Sequence, residues 1–444
     1  MSHSTAINPV AESNGHGHAH GHEPAYIAAR RELDLSQVTF EPRWSASISV
    51  ALWLAGVVSI IVLVAVAMVS GDAQTTTHAL GAYHLGVLYA VGIGLGALGS
   101  LMIQHQFNSG WSGALRRQAE TIVSQLWVVA VLFMPVVILD VFILHGHLFK
   151  WMDPAHTAGD VIYERKAAFL NPGFWMVRSA IYFAIWIVFG LKLYQLSREQ
   201  DRTGDKTLTA RARFLSSFGL LIYALTTAFA SFDWIMSLDY HWFSTMFGVV
   251  FFAGNVISSS AMIIVILTTL RIKGKMGPTF TSEHQHDLGK ILFAFTVFWA
   301  YVSLSQYFLI WYGNVPEETA FYNIRKTGPY NALTWAICFG HFAVPFLLLL
   351  VRDFKRNAHT LRLIALWMLI MHGVDLAFLV SPVINPPVNV DGVMHLQKPW
   401  LEIFGILGPV CLFMGFVVSR MAAAPLIPIK DPRLDEVLAH KNYV

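Results

Sequence analysis

The chain has 444 residues, 55% of them hydrophobic and only 13% charged, with a formal net charge of +3. A water-soluble domain carries about a quarter charged residues; that deficit and a mean hydropathy of +0.53 exclude an ordinary soluble enzyme and indicate a polytopic membrane protein. No nucleic-acid signature is present, and the two cysteines, Cys338 and Cys411, both in apolar stretches, cannot hold an iron–sulfur cluster or a C-x-x-C-H haem.

Residues 1–44 are a polar tail rather than a cleavable signal peptide. Within it His16, His18, His20 and His22 alternate with small residues, a pattern open to two readings: a flexible tail or a loose divalent-metal site. Ten apolar stretches follow, at 45–69, 80–103, 121–144, 173–197, 211–231, 243–271, 287–312, 329–351, 359–382 and 399–420. Each reaches the roughly 20 helical residues that cross a hydrocarbon core. Continuous apolarity over such lengths fits helices and not the alternation of a membrane barrel. The expected fold is thus all-α, with a ten-helix membrane domain over 45–421 and a second polar tail over 422–444. Most of the 30 basic residues, among them Arg43, Arg116, Arg117, Arg198, Lys273, Arg356 and Arg433, fall on the side that carries the termini. The bias of basic residues toward the inside then places both termini in the cytoplasm. The longer loops over 145–172 and 313–328 lie on the opposite side, as docking surfaces or as simple helix caps.

Charged groups inside apolar spans are costly, so each is a functional candidate. Asp140 sits near the outer end of the third span, with His145 and His147 following; a spacing of seven puts Asp140 and His147 on one helix face. Between spans five and six, residues 230–244 pack Asp233, Trp234, Asp239, His241 and Trp242 into one short join. That join is either a proton- or ligand-handling surface or a tryptophan-anchored interfacial loop. Asn255 and Ser258–Ser260 extend polarity into span six, as a path or as small residues for close packing. In span seven Ser303, Gln306 and Tyr307 share a face, which suits a quinone pocket, a water chain or interhelical contact. His341 lies mid-span in the eighth stretch. In the ninth, His372 and Asp375 are three apart on one face, a pair suited to passing a proton because histidine titrates near neutrality, or to a structural hydrogen bond. His84 and Glu402 mark the outer ends of spans two and ten.

Several of these segments, in this order, resemble one family. They are Ser231-Phe-Asp-Trp-Ile-Met-Ser-Leu-Asp239 with His241-Trp-Phe-Ser244; Asp287-Leu-Gly-Lys290; Phe298-Trp-Ala-Tyr301 through Ser305-Gln-Tyr307 and Ile310-Trp-Tyr312; and Pro316-Glu-Glu-Thr319. Together they resemble ActF, the membrane subunit of the quinol:cytochrome c oxidoreductase called bacterial alternative complex III, within the NrfD/PsrC-like group of quinone-interacting anchors. The likeness runs from Trp111–Glu120 to His372–Pro382 and departs at Tyr240, where the family pattern has proline. It implies two four-helix bundles in inverted relation, about 80–231 and 243–382, with two peripheral helices, in a bacterial inner membrane. It implies no covalently bound cofactor here, a quinone or quinol nearby, and haem and iron–sulfur clusters on partner subunits. Those partners would be a paralogous quinol-binding membrane subunit, an iron–sulfur subunit, multihaem and monohaem cytochromes c, small membrane subunits, lipids and a terminal oxidase. Carried over residue by residue, Asp140, Asp233, Asp239, His241, His341, His372 and Asp375 become proton-path candidates, and Ser303, Gln306 and Tyr307 quinone-facing ones. Three functional readings follow: a proton-conducting or quinone-facing subunit of an electron-transfer complex, a scaffold subunit that moves no protons, and an independent proton-coupled transporter.

Overall fold

The structure, a computed structural model, describes residues 35–442; the histidine run of the N-terminal tail lies outside the described residues. Among the described residues ten helices are long and apolar enough to cross a membrane: α1 (Ser36–Ser70), α2 (Ala73–Gln106), α3 (Gly113–Ile143), α4 (Pro172–Thr203), α5 (Thr207–Asp239), α6 (Phe247–Ile272), α7 (Gly277–Gly313), α8 (Gly328–Leu350), α9 (Ala358–Ile384) and α10 (Leu401–Met421). The protein is a multi-pass all-α membrane protein, and each expected span coincides with one helix. A two-stranded hairpin of β1 (Val388–Val390) and β2 (Val393–His395) interrupts the α9–α10 loop.

Local chemistry sets the helix ends. Asp72 caps α2 through the Thr75 N–H, and Asn171 caps α4 through Phe174 with Pro172 in the first turn, where its missing N–H costs nothing. Gly204 ends α4 in the left-handed conformation. Two helices loosen to π-turns, at Ile138–Ile143 in α3 and Ile337–Ala343 in α8. Pro345 explains the second: it offers no N–H to the carbonyl four residues back, that of His341, so the ladder is interrupted there.

Helices α2 to α5 close one ring (α2 on α3, α3 on α4, α4 on α5, α5 on α2). Helices α6 to α9 close another in the same order. α1 and α10 pack on each other and on α2 at the periphery. The two bundles meet along α2 and α6, the most buried of the ten helices. A Cβ at Gly92 would meet the Asn255 side chain, and one at Gly96 the Asn255 carbonyl and Ser259 hydroxyl, so these two glycines let α6 lie directly on α2. The contacts advance together along both chains, so the first helices of the two rings run in the same direction. The inversion implied by the resemblance is therefore not how the bundles are arranged: a unit of four alternating crossings returns the chain to the side it started from, and the next unit begins with the same polarity.

The C-terminal tail does not trail off. Leu426, Ile427, Leu434 and Val437 are buried against the helix ends of the terminal face, the face on which α1 begins and α10 ends. Asp431 pairs with Arg116, and the Gln118 amide donates to the Leu426 carbonyl.

Candidate functional site

The join between α5 and α6 is largely buried and densely hydrogen-bonded. Trp234 and Trp242 are buried, at 0% and 2% exposure, so neither is an interfacial anchor. Trp234 sits in a cage with Phe133, Phe183 and Trp186, and its indole N–H donates to Ser179 at 2.9 Å. Asp233 receives two donors from Arg178 at 2.6 and 2.9 Å and the Tyr182 hydroxyl at 2.9 Å. The Trp175 indole donates to its backbone carbonyl, and His84 lies 2.8 Å from the Trp234 carbonyl. With Arg178 present, Asp233 has a fixed counter-charge and a full set of donors.

Asp140 is equally engaged. Its carboxylate accepts the backbone N–H groups of Leu148 and Phe149 at 2.7 and 3.0 Å, tying the end of α3 to the following loop. The helix has ended before His145, whose φ is +50°, so Asp140 and His147 do not share a helical face; the π-turn redirects the chain first. Asp239 is half-buried at the end of a short 3-10 turn, Met236–Asp239. His241 is in the loop layer, its side chain 49% exposed, with Nε2 2.7 Å from Asp160. The Tyr240 hydroxyl donates to the same Asp160 oxygen at 2.7 Å. The Asp160 carboxylate, as acceptor for Tyr240 and partner of His241, thus latches the 145–172 loop onto the join. The Tyr240 hydroxyl, helped by the Tyr163, His241 and Ile162 donors, holds the Asp160 carboxyl at about 2.

His341, His372 and Asp375 come together in the membrane core. One ligating atom from each lies within 4.8 Å of the other two, and the three residues are 0%, 1% and 4% exposed. His372 Nδ1 is 3.9 Å from Asp375 Oδ2, too far for a direct hydrogen bond, so the structural-bond alternative for this pair is not realised. The π-turn of α8 carries His341 toward α9, and the Trp299 ring of α7 packs on its imidazole at 4.1 Å. Tyr89 of α2 packs on His372 at 5.0 Å. The glycine at 254 leaves the space that His372 fills, since a Cβ there would press on the imidazole. Both ring nitrogens of each histidine and both amide atoms of Asn255 are buried without a hydrogen-bond partner. The Trp299 indole N–H lies beside Asp375 without completing a bond. Buried polar atoms are otherwise satisfied, commonly by ordered water. Two hydrogen bonds of about 2.8 Å meeting at one water span up to roughly 4.6 Å, and the ligating atoms of the triad all lie within 4.8 Å of one another. The same donors form a ligand set for a divalent metal, whose bonds of about 2.0–2.2 Å would draw them closer.

The polar stripe of α7 divides. Gln306 uses both ends of its amide, donating to the Tyr322 hydroxyl at 2.9 Å and accepting from Ser244 at 3.2 Å. Tyr307 packs edge-on against Tyr322 at 5.1 Å, and the Ser303 hydroxyl is buried without a partner. In α6, Ser258 and Ser259 bond back to carbonyls of their own helix, leaving a smooth face toward α2.

Two features escaped the sequence reading. The segment over Trp111–Glu120 reads as a basic turn, yet Arg116, Arg117 and Glu120 are 2%, 1% and 0% exposed. They form one ion-pair network with Asp201 and Asp431. The partners come from α4 and from a tail 315 residues away, so no local spacing announces them. Glu402 pairs with His78 of α2 at 3.1 Å; His78 near the start of an apolar span was the available signal. Comparison of the sequence with models of known protein families gives no match, and comparison with curated proteins gives none either.

Proposed function

We propose that this chain is a proton-conducting integral membrane subunit of a respiratory quinol-oxidising complex that delivers electrons to cytochrome c or to an oxidase. One observation carries the reading: three ionisable side chains from α8 and α9 converge in the core, and all four imidazole nitrogens among them lack a hydrogen-bond partner. Placing even one carboxylate at mid-membrane costs about 3 kcal/mol, and here it is not spent on a structural bond. Each imidazole accepts a proton at one nitrogen and releases it from the other, so a bridged row of His341, His372 and Asp375 passes a proton with only small movements. Asn255 offers a further donor and acceptor on the α6 side.

Electron carriers belong to partner subunits in this reading: an iron–sulfur protein, multihaem and monohaem cytochromes, and a paralogous quinol-binding membrane subunit. Gln306 is committed to Ser244 and Tyr322, which favours proton handling over quinone binding for this chain. A scaffold role is the second reading, favoured by Asp140 and Asp233, whose carboxylates are spent on loop N–H groups and on Arg178.

The test starts with affinity purification in mild detergent, a reduced-minus-oxidised visible spectrum and a quinol:cytochrome c assay. Haem bands and activity should accompany the chain. In that preparation Asp375→Asn should abolish proton uptake while the complex still assembles. Unchanged uptake would support the scaffold; a colourless, monodisperse, inactive protein would bring the independent transporter forward.

A further inference from the structure

At the terminal face, α3, α4 and α10 leave an open groove of about 420 Å³ between them. Its polar wall is Ser124, Gln125, Ser419 and Arg420; its apolar wall includes Trp127 and Leu191. Ser124 and Gln125 stand where the regular helix of α3 is interrupted, between Val123 and Leu126. Arg420 is in the last turn of α10, exposed, with its guanidinium 5.2 Å from the Tyr194 ring centre.

The charge here is unbalanced. Arg116, Arg117, Arg178 and Arg433 each pair with a carboxylate. Among the described residues none pairs with Arg420. Lys192, next to Leu191 on α4, is also exposed and without an ion-pair partner among them. The Ser124 and Ser419 hydroxyls donate to the carbonyls of Thr121 and Phe416, so the donors left for a phosphate group in a groove of this size are the Arg420 guanidinium and the second N–H of the Gln125 amide, whose first goes to Ser124.

Below the groove the surface turns apolar. Val131 and Met134 continue the Trp127 side of α3, and Val188 lies one turn from Leu191 on α4; all three are exposed, at 58%, 49% and 55%. A free anion has no use for that furrow, whereas an acyl chain does. Trp127, 41% exposed at the junction, has the amphipathic character found at headgroup level.

We infer that this groove binds an anionic phospholipid, its headgroup phosphate on Arg420 and one acyl chain along the α3–α4 furrow. The site lies on the face that the basic-residue bias assigns to the cytoplasm, where a basic pocket between helices is a recognised headgroup environment.

The full chain, purified with any partners it retains, is reconstituted in phosphatidylcholine nanodiscs doped with phosphatidylglycerol. It is then re-extracted, and bound phosphatidylglycerol is counted by native mass spectrometry. The wild type should keep one molecule per chain through washing. Arg420→Gln should lower retention about fivefold, the equivalent of losing about 1 kcal/mol of lipid attraction per basic residue, and Arg420→Lys should restore most of it. Ala423→Trp, which fills the groove and leaves Arg420 in place, should also release the lipid. Circular dichroism and size-exclusion profiles show that the variants are folded; if Arg420→Gln is not, Ala423→Trp decides. Equal retention in wild type and folded variants overturns the proposal. So does displacement by millimolar inorganic phosphate alone, which would mark a free-anion site.

Discussion

Arg178 of α4 and Asp233 of α5 face each other in a two-pronged ion pair, Nε to Oδ2 at 2.9 Å and a terminal guanidinium nitrogen to Oδ1 at 2.6 Å. The second bundle treats its arginine differently. Arg325, just ahead of α8, is 2% exposed and donates to the carbonyls of Phe378 and Leu379 in α9. It takes no carboxylate among the described residues, and burial lowers its guanidinium to about 9. Asp375, one turn before those carbonyls, is left to His341 and His372. An arginine thus neutralises the acid of the first bundle, while Asp375 of the second has no arginine or lysine partner among the described residues.

Asp233→Asn should destabilise the protein. It leaves the Arg178 cation buried without its counter-charge, at a cost of about 3–5 kcal/mol. The expected result is a clear fall in thermal unfolding temperature and in yield from detergent. Replacing both residues together, as Arg178→Met with Asp233→Leu, should recover much of the loss. An Asp233→Asn protein as stable as the wild type would show that the pair does not hold α4 to α5.

Asp375→Asn should separate fold from function. The amide is nearly isosteric, and its oxygen can still accept from the Trp299 indole N–H beside it, so helicity and stability should hold. Proton transfer through a positioned acid or base is typically worth 10²–10⁴-fold, and a stopped-flow pH-indicator assay in proteoliposomes should show uptake at least about a hundredfold slower. Normal uptake would remove the triad from the path.

Gly96→Val should disrupt the meeting of the bundles. A Cβ at this position overlaps the Asn255 carbonyl and the Ser259 hydroxyl. Backbone cannot yield as a side-chain tip can, so a cost at or above the usual 1–3 kcal/mol for overpacking is expected. Gly313→Ala is the control, because nothing lies near its Cβ position. Thermal unfolding in one detergent compares the two, and equal midpoints would contradict the close approach of α2 and α6.

Acid should release the 145–172 loop before the helices unfold. The Asp160 carboxyl is lowered from its ordinary value of 3.8 to about 2, chiefly by the Tyr240 hydroxyl. A carboxyl depressed on folding contributes stability above its unfolded pKa, and loses it as pH falls through the folded value. The latch should therefore be complete above about pH 4 and open progressively toward pH 2. Fluorescence of Trp151, or cleavage within 153–172 by an acid-active protease, follows the opening. Asp160→Asn should make that signal independent of pH over the same window.

The ten crossings were legible because each depends on its own residues: a run of apolar side chains long enough to span must be helical, whatever it packs against. The positions of the membrane acids and histidines were legible for the same reason, as was the shared face of His372 and Asp375, fixed by three residues of helical rise. The arrangement of the bundles was a matter of parity, and only the contacts of Gly92 and Gly96 with α6 made the common direction of α2 and α6 plain.

What the sequence by itself determined is therefore the number of helices, their lengths and the polar groups each one carries. Only the tertiary structure decided which of those groups are spent. Arg178 claims Asp233, two loop N–H groups claim Asp140, Asp431 reaches Arg116, and the π-turn brings His341 to His372 and Asp375. The reason is physical. A helix displays its faces through local geometry, but the neighbour of each face is chosen by packing over the whole chain, and in a low-dielectric core that neighbour sets whether a charge is neutralised or left to work.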